Sequence, residues 1–195
     1  MTPDEKEARE KQIADAAYDL LKEKGFGGMS MLAVARKAKA SNETLYRWYG
    51  DKSGLFAMLI ARNVDAISDR LDQVTQARDE AALIELGSLL LELLLSPRAI
   101  ELNRAAAADP KNQLGALLAE GGRGRVFPRV LLFFEGLRAE GLVRQKAQDA
   151  ASLWLDLLVG DVPLRCVTGA LKPPEADARH TRATLAATRV LILCG

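Results

Sequence analysis

The segment Ser41-Asn42-Glu43-Thr44-Leu45-Tyr46-Arg47-Trp48-Tyr49-Gly50-Asp51-Lys52 gathers hydrogen-bonding and cationic side chains at helical spacing. Ser41 is an N-cap residue type, and the free backbone N–H groups at a helix start favour a phosphate. Asn42, Glu43, Thr44 and Arg47 can reach base edges in a major groove. Tyr46 and Trp48 can donate hydrogen bonds to phosphates, and Lys52 offers a point charge to the same backbone. Leu45 and Tyr49, four residues apart, form an apolar seam that would hold this helix to its support. Residues 30–52 hold the cations Arg36, Lys37, Lys39, Arg47 and Lys52 against only Glu43 and Asp51, in a chain whose formal net charge is +1. Any attraction to nucleic acid therefore comes from a local patch, not from a global field.

Other chemistry is thinly represented. His180 is the only histidine and has no partner pattern around it. Cys166 and Cys194 lack metal-ligand spacing and form no disulfide framework. Arg123 and Arg125 sit beside glycines without the spacing of a phosphate-binding loop and read as turn surface. No nucleophile–base set appears, so catalytic residues, metal and cofactor are all expected to be absent, and an all-α enzyme is the weakest reading. Glu92 is the only charge between Gly87 and Leu95. It could face inward toward a ligand cation or an internal arginine, or snorkel at the edge of the bundle. Arg104, Phe127, Phe134, Trp154 and Asp156 could line a ligand pocket, although aromatic residues at helical spacing are more often plain core.

The elements that would position these groups are helical throughout. With 49% hydrophobic residues, 5% aromatic residues and an excess of Ala and Leu, the 195-residue chain favours an all-α fold. Thr2-Pro3-Asp4-Glu5 reads as a capping box with proline at the first helical position. A first helix follows, with Ile13, Ala17, Leu20 and Leu21 inward, and Gly25 stops it. Ser30 caps a second helix with Val34, Ala35 and Ala38 inward, Ser41 a third, and Asp51 a fourth carrying Leu55, Met58 and Leu59. The tight turn between the two short helices is the geometry of a helix-turn-helix.

Beyond it, Leu83–Leu95 is apolar nearly all round and belongs in the middle of a helical body. Ser96-Pro97 and Asp109-Pro110 read as helix starts, Gly121–Gly124 as an interruption, and Gly141 as a stop. Residues 145–168 read as one helix, and Pro173-Pro174 open the last. The expected division is a DNA-binding head over 1–60 and an all-α body over 61–195, with the boundary inside the fourth helix. The charged N-terminus has no apolar signal core, and Leu89–Leu95 is too short to span a bilayer, so no membrane association and a cytoplasmic location are expected.

Residues 10–60 resemble the head of the TetR family of transcription regulators. The elements that match, in order and spacing, are Ile13, Ala16, Ala17, Leu20 and Gly25-Phe26; Ser30, Val34 and Ala35; Ala40-Ser41; Thr44-Leu45-Tyr46; Trp48-Tyr49; and Lys52 with Leu55. The resemblance implies a homodimer that reads a palindromic double-stranded operator and responds to a small-molecule effector, most simply as a repressor. An activator or a ligand-independent regulator is the alternative. Ser30, Ser41, Asn42, Glu43, Thr44, Tyr46, Arg47, Trp48 and Lys52 are the DNA-facing set. The dimer would form through the two C-terminal helices, using Leu157 and Val162 from one and Ala183, Ala187 and Val190 from the other, where small residues permit close approach. There are departures from the family pattern. Lys39 stands where the turn usually has glycine, so either it adopts a positive φ or the turn differs. Met31-Leu32-Ala33 offers no polar base contact from helix 2.

Overall fold

The computed structural model describes residues 2–195, and these contain helices and no strand. The helices are α1 (Pro3–Gly28), α2 (Met31–Lys37), α3 (Asn42–Tyr49), α4 (Lys52–Val74), α5 (Glu80–Leu94), α6 (Pro97–Ala107), α7 (Gln113–Leu118), α8 (Gly124–Ala139), α9 (Ala147–Val159), α10 (Val162–Val167) and α11 (Ala176–Cys194). None is long and apolar enough to cross a membrane. The chain forms two compact units, Met1–Arg62 with Glu101–Gly121 and Asn63–Ile100 with Gly122–Gly195.

The first unit is built by capping. The Thr2 hydroxyl accepts from Glu5 N at 3.2 Å while Thr2 N donates to the Glu5 carboxylate at 2.7 Å, which closes the capping box. Gly25 leaves the helical region at φ 64°, and α1 kinks there. Ser30, Ser41 and Asp51 accept from the N–H groups of Ala33, Thr44 and Gly54 at 3.2, 3.0 and 2.8 Å. Gly54 is required as well, because a Cβ there would meet the Tyr49 carbonyl oxygen at 1.9 Å. Ile13, Ala17, Val34, Leu45, Leu55, Phe56 and Leu59 make the fully buried centre. Leu102 and Ala105 of α6 and Leu114 of α7 pack into the same cluster, so this unit recruits a segment far downstream of residue 60.

In the second unit α5 lies against α11 and α9, as its all-round apolar sequence requires. Gly87 permits this packing, since a Cβ there would lie 3.0 Å from the Ala183 Cβ, 3.2 Å from Leu158 and 3.4 Å from Trp154. Phe133, Phe134, Trp154 and Leu158 fill the space beside α5.

Three local expectations are corrected. Residues 145–168 are not one helix, because Gly160 sits at φ 52° and separates α9 from α10. Arg182 stabilises the break by donating Nε to the Leu158 carbonyl and Nη2 to that of Val159 at 3.2 Å. Gly121–Gly124 does not interrupt the helix; a π-turn over Ala119–Arg123 carries the chain directly into α8. Asp109-Pro110 forms a turn ahead of α7, where the Asp109 carboxylate accepts from Lys111 N at 3.1 Å and Leu114 N at 2.9 Å. These backbone donors hold that carboxyl below the usual carboxylate range.

Candidate nucleic-acid interface

Leu45 anchors α3 with its side chain wholly buried, while Asn42, Glu43, Tyr46 and Arg47 remain exposed. One turn of helix thus separates a fixed apolar side from a free polar one, the division a reading helix needs. Ser41 stands at the exposed start of α3 and also touches the Thr44 hydroxyl at 2.8 Å. Its cap leaves the first-turn N–H groups of α3 pointing outward, a favourable place for phosphate oxygen. Ser30 plays the same part for α2 and is exposed.

Trp48 and Tyr49 back the helix. Their rings meet edge to face with centroids 6.1 Å apart, and both are partly buried against the first unit's core. Lys6 of α1 lies 6.0 Å above the Trp48 ring. The Tyr49 hydroxyl is buried without a hydrogen-bond partner among the described residues. Burial first, and the Glu10 carboxylate second, push its pKa up to about 12. A tie between α1 and α4 lies nearby, with Arg62 donating to Glu7 at 2.8 Å and standing 3.7 Å from Glu10. Tyr18 adds a buried hydrogen bond from its hydroxyl to the Leu59 carbonyl at 2.9 Å.

The cations of residues 30–52 are not equivalent. Lys37 is held by Glu23 at 2.9 Å and Asp19 at 3.2 Å. The Lys52 ammonium donates to the carbonyls of Phe26 at 2.7 Å and Met29 at 3.1 Å, and lies 4.1 Å over the Phe26 ring. Its partial burial lowers its pKa. Two of the three ammonium donors of Lys52, expected at phosphate, thus serve the loop between α1 and α2. Arg36, Lys39 and Arg47 have no side-chain partner among the described residues. Lys39 takes the left-handed conformation, at φ 50°.

The candidate ligand residues do not converge. Glu92 faces outward and pairs with Arg70 at 2.9 Å, and Asp156 is exposed. Arg104 belongs to the first unit, where it pairs with Glu101 at 2.6 Å. Phe127 is partly buried beneath the Arg123 guanidinium, 4.7 Å from its ring centre. Only Phe134 and Trp154 meet, with ring centroids 5.5 Å apart in the core of the second unit. The Trp154 Nε1–H is buried there without an acceptor among the described residues.

The residues expected at a dimer contact are also relocated. Ala183, Ala187 and Val190 are fully buried within the chain itself, facing α5 and α9, and Val162 is 7% exposed. Leu157 is partly buried against the same core. Helical periodicity marked the apolar stripe of α11 correctly, but the chain's own α5 covers it.

A capped, exposed polar helix held by a buried seam after a tight turn defines a helix-turn-helix DNA-binding transcription regulator. Residues 13–59 match the family model for bacterial regulatory proteins of the tetR family, and residues 81–193 match the C-terminal domain of AefR-like transcriptional repressors. Among curated relatives, the uncharacterised HTH-type transcriptional regulator YdeS of Bacillus subtilis is 28% identical over 84% of this chain and 81% of its own length. The HTH-type transcriptional repressor KstR of Rhodococcus jostii is 28% identical over 77% of this chain and 71% of its own. Among solved structures, a TetR regulator from Agrobacterium tumefaciens superposes with a TM-score of 0.76 at 28% identity, covering 100% of this chain and 96% of that one. The flavonoid-responsive regulator FrrA gives a TM-score of 0.71 at 26% identity, covering 96% and 97%. The chain belongs to the TetR family of transcription regulators.

Proposed function

We propose that this regulator acts as a homodimeric repressor that reads a palindromic operator through α3 and is released from it by a small molecule. The observation that carries the DNA reading is the arrangement of α3. Leu45 is buried, while Asn42, Glu43, Arg47 and the half-buried Thr44 stand on the free sides of the same short helix. In this reading Asn42, Thr44 and Arg47 meet base edges, Glu43 accepts from an exposed base amine, and Ser30, Ser41, Tyr46 and Trp48 meet the phosphate backbone.

The dimer contact is better assigned to the outer side of α10 and α11. Leu185, Ile192 and Leu193 are 49%, 76% and 56% exposed and recur along one side of α11, and Leu164 of α10 is 65% exposed. Exposed apolar side chains in such a row favour burial by a second copy, and two-fold symmetry would match a palindromic site. Ligand response draws support from the likeness to FrrA, a flavonoid-responsive regulator, and from Trp154. A molecule offering an acceptor to its buried indole N–H would satisfy an otherwise unpaired donor. By stabilising one arrangement of the dimer over another, such a molecule would change operator affinity by its differential binding to the two.

Selection of bound fragments from a random duplex library tests the reading. The expected product is an inverted repeat whose half-sites lie about 10 base pairs apart or a multiple of that. On the selected site, Thr44→Ala and Arg47→Ala should each cost about 1–3 kcal/mol and relax preference at particular base pairs. A library that yields no enriched sequence refutes sequence-specific reading.

A further inference from the structure

The turn between α2 and α3 contains a complete left-handed helix stop. Ala40 N donates to the Ala35 carbonyl at 2.9 Å and Lys39 N to that of Arg36 at 3.2 Å, so the last carbonyls of α2 are satisfied by a Schellman pair. The residue at its left-handed position is Lys39, at φ 50°. Glycine is the usual occupant because it has no Cβ to crowd the following carbonyl; for lysine the conformation is unfavourable. The surrounding structure holds it there. Arg9 of α1 donates Nη1 to the Lys39 carbonyl at 3.1 Å, tying the turn to the first helix.

A residue that the backbone disfavours needs another reason to be present. Packing supplies none, since Lys39 is exposed. Internal ion pairing supplies none either, since its ammonium has no partner among the described residues, whereas Lys37 and Lys52 are committed to carboxylates and carbonyls. Lys39 lies two residues before Ser41, the cap of α3, and directly after the last turn of α2. When the second helix of a helix-turn-helix enters a major groove, the first crosses the phosphate backbone, so the turn between them runs along the groove edge. We propose that Lys39 is a DNA-phosphate contact, held in the left-handed turn of the helix-turn-helix by the α2 stop and by Arg9. The inference rests on the DNA-binding reading of α3 and adds to it a sequence-independent anchor next to the reading residues.

Three variants of the full chain separate charge from backbone. Lys39→Gly removes the ammonium and relaxes the turn, Lys39→Asn removes the ammonium but tolerates the left-handed conformation, and Lys39→Arg keeps a cation. Binding is measured by fluorescence anisotropy on the selected duplex and on a scrambled duplex across a salt series, alongside thermal unfolding. Lys39→Gly should raise Tm by about 2–4 °C. Lys39→Gly and Lys39→Asn should both weaken binding to the two duplexes by the same factor, and lower the slope of log K against log salt by about one per head. Lys39→Arg should keep the wild-type slope. An unchanged slope in Lys39→Gly and Lys39→Asn, with wild type binding normally, overturns the inference alone. Tighter binding by Lys39→Gly, in step with its higher Tm, likewise assigns Lys39 no contact. A wild-type protein that binds neither duplex overturns the DNA reading and this inference with it.

Discussion

Two substitutions five residues apart on α11, Ala187→Glu and Ile192→Glu, should have opposite consequences. Ala187 is wholly buried and faces the apolar cluster around α5, whereas Ile192 is 76% exposed. A carboxylate at 187 enters a core with no buried charged residue among the described residues, at a cost of several kcal/mol against a total stability of about 5–15 kcal/mol. Ala187→Glu should therefore unfold or loosen the second unit, seen as a lowered thermal midpoint and lost near-UV circular dichroism. Ile192→Glu should leave the fold of the chain within about 0.5 kcal/mol, as exposed substitutions do. Fully burying an isoleucine is worth about 1.5–3 kcal/mol, so covering the open part of Ile192 contributes about 1–2 kcal/mol per subunit. A two-fold contact uses the residue twice, so losing it should cost about 2–4 kcal/mol and raise the dimer dissociation constant about 30- to 1000-fold. Sedimentation equilibrium over a concentration series reads this directly. An unchanged dissociation constant for Ile192→Glu would remove the outer side of α11 from the dimer contact. A folded, monomeric Ala187→Glu would show instead that the small-residue stripe meets a partner.

Lys52→Ala should lower the stability of the first unit by about 1–3 kcal/mol, because the carbonyls of Phe26 and Met29 lose their donor. The salt slope of DNA binding should stay at the wild-type value, and a fall of one per head would restore Lys52 to the interface. Tyr49 supplies a pH prediction. Its folded pKa of about 12 lies above the ordinary tyrosine value of about 10, so its stabilising effect is fully present below pH 10 and fades as pH rises toward 12. Alkaline unfolding followed by circular dichroism should shift upward in Tyr49→Phe, and an identical profile would exclude this group. Gly87→Ala should destabilise by about 1–3 kcal/mol in chemical denaturation, since its methyl meets Ala183, Leu158 and Trp154 at 3.0–3.4 Å; a neutral result would mean that α5 and α11 separate freely.

What the sequence by itself determined was local. Caps at Thr2, Ser30, Ser41 and Asp51 and the stop at Gly141 are contacts within a few residues, and side-chain chemistry suffices to place them, whereas the stop expected at Gly25 is a kink after which α1 continues to Gly28. The buried position of Leu45 and the exposure of Arg47 follow from helical periodicity in the same way. Periodicity finds an apolar side but does not say what covers it. Only the tertiary structure turned Ala183, Ala187 and Val190 toward α5 and left Leu185 and Ile192 outside. Charge shows a similar limit. Lys37, Lys39 and Lys52 look alike in sequence, yet only packing commits two of them to Glu23, Asp19, Phe26 and Met29 and leaves the ammonium of the third without a partner among the described residues. The recruitment of Leu102, Ala105 and Leu114 to the first unit, and of Arg9 to the Lys39 carbonyl, likewise joins residues too distant in sequence for any local pattern to record. Such pairings depend on which surfaces of already formed helices bury the most apolar area together, and that is settled when the helices pack.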